Sequence, residues 1–170
     1  MMTGDIMSKQ LLGSMVRASL LITALSFPLS TLAADENNVA AGLTAAGAPL
    51  GLHGADPVAT IKISNPVEGS AAFTAVHDGV AYYFSSQENL KSFKNNPARY
   101  ISQNGGFCTF GVSKGKKFDG DPQYSSVIDG KLYVFLNEQV FQLYLKDQQG
   151  TIKAAAKNWE KIQNVAATEL

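Results

Sequence analysis

Residues 73–96 read FTAVHDGVAYYFSSQENLKSFKNN, and residues 124–147 read YSSVIDGKLYVFLNEQVFQLYLKD. The two segments align without gaps at an offset of 51 residues and share five identical positions. In each of them an Asp-Gly pair, at 78–79 and at 129–130, separates two runs of β-prone residues. Asp-Gly between such runs is a strong signal for a two-residue hairpin turn, because glycine tolerates the positive φ that the turn requires. Each segment therefore predicts a β-hairpin.

A helix is expected after each hairpin. In the first segment Ser85 and Glu88 have the spacing of a capping box, and Asn96-Pro97 is expected to end the helix. In the second segment Asn137 is a suitable N-cap residue, and Gly150 is expected to close the helix. The repeated segment thus predicts two β-hairpin–helix units, related by duplication or by a shared local solution.

A last helix is predicted over about 151–162, where Ala155, Trp159 and Ile162 recur at helical spacing. Two hairpin–helix units and this C-terminal helix make one small α+β domain. We expect the domain to cover residues 52–162 and to be followed by a C-terminal tail at 163–170.

The N-terminal residues have the layout of a secretory signal peptide. Lys9 and Arg17 precede an apolar run over about 18–29, and the small residues Ala33-Ala34 follow. The run is shorter than the ~20 residues of a spanning helix. We therefore expect a cleaved signal peptide at 1–34, a periplasmic or secreted protein, and no membrane anchor after cleavage; a retained anchor is the alternative.

Composition narrows the classes of partner. The chain has 14 basic and 14 acidic residues, and a near-neutral charge argues against nucleic acid, which needs a basic face. The lysines at 114, 116 and 117 are interpreted as a solvated loop.

Residues 35–51 are small, polar and glycine-rich, which predicts a flexible leader. A protein partner cannot be named from these patterns.

The segments GADPVAT (54–60), AVHDGVAYYFSSQENLKSFKNNPARY (75–100) and GGFC (105–108) resemble YHS-domain proteins. The resemblance extends through VIDGKLYVF (127–135) to AKNWEKI (156–162), which is similar to the end of the exported, single-domain branch of that family. It implies a fold and an exported location; it does not imply an activity.

Two departures from the family pattern bear on function. Members that bind metal carry cysteines at the positions that Ser85 and Asn89 occupy here, so the resemblance implies that this metal site is absent. Exported members usually carry tyrosine where this chain has Ala55.

Cys108, the one cysteine, is the first candidate functional residue. It lies between Phe107 and Phe110, and a free cysteine in such a setting is often a small buried hydrophobic residue. Alternatively it is a metal ligand or a reactive thiol, both of which need a partly open, electropositive site. An intermolecular disulfide is a third interpretation in an oxidising compartment.

A metal site is predicted if Cys108, His53 and Asp56 converge in the fold. Nitrogen, sulfur and oxygen donors of this kind suit copper or zinc. The leading hypothesis is therefore a non-catalytic periplasmic binding module of the YHS type that binds a transition metal through Cys108 and His53.

Two alternatives come from other classes of protein. A thiol-dependent enzyme would use Cys108 as nucleophile, with His53 or His77 as base and Asp56 or Asp78 as the orienting group. An interaction domain would instead keep Cys108 in its core.

Overall fold

The computed structural model describes residues 36–170. The predicted signal peptide, residues 1–34, lies outside the described residues. The elements are, in chain order, helix α1 (Pro57–Ile63), strands β1 (Ser70–His77) and β2 (Val80–Phe84), helices α2 (Gln87–Asn95) and α3 (Thr109–Ser113), strands β3 (Asp121–Ile128) and β4 (Lys131–Phe135), and helices α4 (Glu138–Lys146) and α5 (Gln148–Ile162). This is a small α+β domain, as predicted.

The two hairpin–helix units are confirmed and have the same register. Strands β1 and β2 pair antiparallel with Ala75 opposite Tyr82, and β3 and β4 pair with Ser126 opposite Tyr133, which are the positions 51 residues later. Both pairings are interrupted by a bulge at the same place. Asp-Gly forms each turn with two successive positive φ angles, 47° and 77° in the first, 53° and 72° in the second. This is the turn that matches the twist of a hairpin.

The helices of the two units also begin at equivalent positions. The Ser86 hydroxyl accepts a hydrogen bond from the Asn89 N–H and caps α2, and the Asn137 side chain caps α4 as predicted. The prediction of Ser85 as the first cap is wrong by one residue. The Ser85 hydroxyl instead donates a hydrogen bond to the carboxylate of Asp56, 29 residues earlier in the chain.

The end of the second unit differs from the prediction. Helix α4 ends at Lys146, and Asp147 then caps α5 by accepting a hydrogen bond from the Gly150 N–H at 2.9 Å. Gly150 therefore lies inside the first turn of the last helix and does not close the preceding one. The C-terminal helix begins at Gln148, three residues earlier than predicted.

Residues 36–51, predicted to be a flexible leader, lie against the first unit. Ala81 of β2 exchanges main-chain hydrogen bonds with Pro49 and Gly51, at 2.8 and 2.9 Å. Val39 in turn forms a β-bridge with Gly51. The prediction overlooked that the outer edge of β2 needs a partner, which this segment supplies.

None of the helices within residues 36–170 is long and apolar enough to cross a membrane.

Candidate functional site

Asp56 is a structural side chain of the first unit. One carboxylate oxygen caps α1 by accepting hydrogen bonds from the N–H groups of Val58 and Ala59, at 2.8 and 3.0 Å. The other accepts from the Ser85 N–H and hydroxyl and from the Asn89 side chain, at 2.7–2.8 Å. Asp56 is fully buried. A metal ion would have to displace these donors, so the carboxylate is committed to the fold and is not available as the predicted ligand.

The positions where the family resemblance places metal-binding cysteines belong to the same network. The Asn89 side chain donates to the Ser85 hydroxyl at 3.2 Å and accepts from the Lys62 ammonium at 2.8 Å. A hydroxyl and an amide therefore stand where the cysteines would be, and their donors and acceptors are taken up by each other, by Asp56 and by Lys62.

Cys108 lies in the core of the second unit. Its residue is 1% exposed and packs with Tyr133, Phe135 and Tyr144. The sulfur caps the short helix α3 by accepting from the Gly111 N–H at 3.4 Å. Burial raises the pKa of the Cys108 thiol, against the lowering effect of neighbouring backbone N–H groups, and the charge of Asp119 adds to the rise. The thiol is thus held protonated, which is the form without nucleophilic or metal-binding activity.

His53 lies at the surface and contacts Asp119. Its Nε2 atom is 2.9 Å from the Asp119 carboxylate, which also accepts from the Asn38 side chain at 2.7 Å. Partial burial raises the pKa of the Asp119 carboxyl, but the hydrogen bonds from Asn38 and His53 outweigh it and the pKa is lowered. The hydrogen bond from Asn38 fastens the segment that begins at residue 36 to the body of the domain.

The predicted metal ligands do not form a set. Across residues 36–170 no three His, Cys, Asp or Glu side chains are placed to hold one metal ion. The His53 Nε2 atom lies 2.9 Å from the Asp119 carboxylate, and the charge of Asp119 contributes to the raised pKa of Cys108. Asp56 is enclosed in its own network. Metal binding through Cys108 and His53 stays a prediction.

His77 is half-buried beside the first turn. Its ring meets the edge of Phe93, and its Nε2 atom lies 3.2 Å from the exposed carboxylate of Asp78. Asp78 was predicted as a possible orienting group for a histidine base, and the structure brings these two together. Cys108 lies in a core cluster separate from the one that contains Phe93. Its sulfur accepts a hydrogen bond from the Gly111 N–H.

An open cleft of about 790 Å³ lies between the two units and α5; we call it the interunit cleft. A volume of this size is typical of small-molecule sites. The cleft is lined by both hairpins, by the loop that connects the units, by α5 and by the start of the described chain. The residues that line it are Glu36, Asn37, His77, Asp78, Tyr82, Ala98, Ile101, Ser102, Gln103, Asn104, Gly105, Lys131, Tyr133, Ile152, Ala156, Trp159 and Gln163.

Tyr82 and Tyr133 face the interunit cleft from equivalent positions of the two hairpins. Both are more than nine-tenths buried, at 5% and 7% exposed. Neither hydroxyl has a hydrogen-bond partner among residues 36–170, and this part of the chain contains no enclosed side-chain polar atom that lacks one. Both hydroxyls must therefore reach the surface, and the cleft is the opening that both side chains line.

Burial shifts the pKa of both phenols further above neutral pH. It raises the pKa of Tyr82 to about 12, with a further contribution from the charge of Asp78. Burial likewise raises the pKa of Tyr133, and Tyr144 and Asp129 add to the rise. At neutral pH the cleft thus presents two neutral hydroxyls that can donate or accept a hydrogen bond.

The loop between the units is shaped to approach the start of the described chain. Gly105 has φ +60°, and a Cβ there would overlap the Glu36 carbonyl oxygen and press on the Trp159 ring. The Gly105 carbonyl accepts from the Asn38 N–H at 2.7 Å. The Gly-Gly pair beside the cysteine therefore serves this close contact at the cleft.

Sequence reasoning did not find the cleft, although one signal was present. Tyr82 and Tyr133 occupy equivalent positions of the internal repeat and are one of its five identical pairs. Two buried polar side chains repeated at equivalent positions indicate a shared environment, which here is the cleft.

Comparisons of the chain with protein-family models, curated proteins and solved structures gave no match.

Proposed function

We propose that the protein is a non-catalytic binding module that takes a small organic ligand in the interunit cleft. The observation that carries the proposal is the pair Tyr82 and Tyr133, two buried side chains that line the cleft and whose hydroxyls have no protein partner in residues 36–170. A nearly buried hydroxyl without a partner gains a hydrogen bond when a ligand supplies one. Two such groups on facing hairpins give a ligand two fixed points of contact.

The state of the thiol supports a binding role over a thiol-dependent one. Cys108 is buried, protonated and used as a helix cap, whereas a nucleophile needs access and a lowered pKa. This fits the interpretation of Cys108 as a core residue.

The proposal includes an exported location. It is supported by the sequence over residues 1–34, which has the charge, apolar run and small residues of a signal peptide. The protein would then bind its ligand outside the cytoplasm, in the location that the resemblance to the exported YHS branch implies.

The test uses Trp159, the one tryptophan of the chain, which lines the cleft. The mature chain, residues 35–170, is titrated separately with amino acids, sugars, nucleosides, carboxylates and amines while its fluorescence is recorded. We expect at least one class to give a saturable change. Ala156→Phe, which fills the cleft from α5, should abolish the change, whereas Ala72→Phe on an exposed position of β1 should keep it. No saturable change for any class up to about 10 mM, a limit equivalent to a few kcal/mol, would refute the proposal.

Metal binding is the second candidate function. The observation that favours it is the pair of His53 and Asp119, a nitrogen and an oxygen donor 2.9 Å apart at the surface. The mature chain, Cys108→Ser and His53→Ala are each titrated with Cu(I), Cu(II) and Zn(II). The candidate requires stoichiometric uptake that both substitutions reduce, and equal uptake by the three proteins would eliminate it.

A further inference from the structure

The interunit cleft has opposite charges on its two sides. The turn of the first hairpin contributes Asp78, and Glu36 lies beside the same opening. The second hairpin contributes Lys131, the first residue of β4. Within residues 36–170 the ion pairs are His53 with Asp119 and His77 with Asp78, so Lys131 pairs with neither acid of the cleft.

Each charged side has one of the two tyrosines. Tyr82 and Asp78 both line the cleft from the first hairpin, and Tyr133 lies two residues after Lys131 in the same strand of the second. One side of the cleft therefore offers a carboxylate with a hydroxyl that can accept. The other offers an ammonium with a hydroxyl that can donate.

The remaining wall of the cleft includes large apolar side chains. Ile152 and Trp159 of α5 and Ile101 of the connecting loop are all half-buried. A ligand body that covers these side chains removes apolar surface from water, which favours binding.

Resting on the proposed function, we propose that the ligand is a small zwitterion with an apolar body, such as a free amino acid with a large apolar side chain. The ammonium of the ligand lies toward Asp78 and Tyr82, and its carboxylate lies toward Lys131 and Tyr133. The apolar side chain contacts Trp159 and Ile152. A pure anion would bring no ammonium to Asp78 and Glu36, and a pure cation would bring no carboxylate to Lys131.

The test compares L-phenylalanine with two derivatives that each lack one charge. N-acetyl-L-phenylalanine keeps the carboxylate, and L-phenylalaninamide keeps the ammonium. Binding to the mature chain is measured by Trp159 fluorescence excited at the red edge and by calorimetry. We expect L-phenylalanine to bind about tenfold more tightly than either derivative, because each lost charge-assisted contact is worth about 1.4 kcal/mol.

Two substitutions assign each charge to its side. Lys131→Gln should weaken L-phenylalanine about tenfold and leave the amide unchanged. Asp78→Asn should weaken the binding of L-phenylalanine similarly and leave that of the N-acetyl derivative unchanged; asparagine also tolerates the positive φ of this position.

Tyr82→Phe and Tyr133→Phe remove only the hydroxyls and should each weaken binding about fivefold. Tyr83→Phe, the neighbouring residue of β2 that does not line the cleft, is the matched control and should bind normally.

The outcomes separate this inference from the proposed function. If a derivative binds as tightly as the free amino acid, or if Lys131→Gln and Asp78→Asn bind as the parent does, the zwitterion is wrong while the cleft remains a binding site. If L-phenylalanine and L-leucine give no saturable signal but another class does, the inference again fails alone. If no compound gives a saturable signal that Ala156→Phe abolishes, both the inference and the proposed function fail.

Discussion

A single unpaired thiol in a chain predicted to be exported has a structural explanation at the scale of the residue. Cys108 fills a small volume in an aromatic cluster, and its sulfur accepts a backbone N–H at the start of α3. A small side chain that is apolar in bulk and also a weak acceptor meets both needs.

The first prediction concerns the titration of this thiol. The pKa of Cys108 is raised on folding, so the native state holds the proton more firmly than the unfolded chain does. The resulting stabilisation is complete below the thiol pKa of the unfolded chain, about 8.5, and is lost as the pH rises through the folded value. Urea unfolding between about pH 8 and pH 10 should therefore show a steeper loss of stability in the parent than in Cys108→Ala.

Iodoacetamide labelling checks the same point independently. Native Cys108 should react slowly at about pH 8.5, and the urea-unfolded chain should react as an ordinary thiol. The assignment of Cys108 to the core would be contradicted if stability fell equally with pH in the parent and in Cys108→Ala and if native Cys108 were labelled rapidly.

Lys117 shows how the interpretation of a charge cluster can fail for one member. The lysines at 114, 116 and 117 were predicted to form a solvated loop, and two of them are exposed. Lys117 is 6% exposed: its ammonium donates to the carbonyls of Gln163 and Val165, at 2.8 and 2.7 Å, and lies over the Phe107 and Trp159 rings. It thereby fastens the predicted C-terminal tail to the domain.

The second prediction follows from this placement. Lys117→Ala should lower the free energy of unfolding by about 3 kcal/mol, because it removes cation–π contacts and leaves carbonyls beyond the end of α5 without their donor. Lys116→Ala, on an exposed neighbour, should change it by less than about 0.5 kcal/mol. Urea unfolding of both variants measures the difference. A similar effect of the two substitutions would show that Lys117 is not a structural contact.

At the scale of the element, the hairpin turns and one helix cap follow from local sequence and are confirmed, whereas the cap of the first unit depends on a distant partner and was placed wrongly. The Asp-Gly turns and the Asn137 cap are decided by a few consecutive residues, and both lie where the sequence placed them. The choice between Ser85 and Ser86 was decided by Asp56, 29 residues earlier, which takes the Ser85 hydroxyl. Helix α1 was not predicted from the sequence, and it packs Val58 into the core of the first unit.

The third prediction tests the turn of the second hairpin. Gly130 has φ +72°, and a Cβ there would meet nothing within 4 Å. Gly130→Ala should therefore cost about 1 kcal/mol, from backbone conformation alone. Asp129→Asn keeps the preferred turn chemistry and should stay within about 0.5 kcal/mol of the parent. Thermal unfolding of both variants is the measurement. If Gly130→Ala were as stable as the parent, the turn would not need a residue with a left-handed conformation.

At the scale of the whole molecule, the candidate site is a product of how the two units meet. Its residues are spread from Glu36 to Gln163, so no local motif could have indicated it. The predicted metal set failed to converge because its members had stronger local tasks: Asp56 caps a helix, Cys108 fills a core, and His53 lies at the surface on Asp119. What the sequence did contain was the repetition of Tyr82 and Tyr133, which has meaning only when the two hairpins face one opening.

The fourth prediction concerns the boundary of the domain. The sequence placed its start at residue 52, but the segment before it pairs with Ala81, and Asn38 bonds both Asp119 and Gly106. A chain that begins at residue 52 should therefore be less stable than one that begins at residue 35 by at least about 2 kcal/mol, since two edge hydrogen bonds and their packing are lost.

Urea unfolding followed by Trp159 fluorescence measures that difference, and the shortened chain should also lose ligand binding because Glu36 forms part of the cleft wall. Leu43→Ser, at a position that is 73% exposed within the same segment, is the control and should leave stability unchanged. Equal stability of the two chains would make residues 36–51 the dispensable leader that the sequence predicted. A loss confined to the shortened chain would make them the outer edge of the first unit, on which the cleft depends for one of its acidic groups.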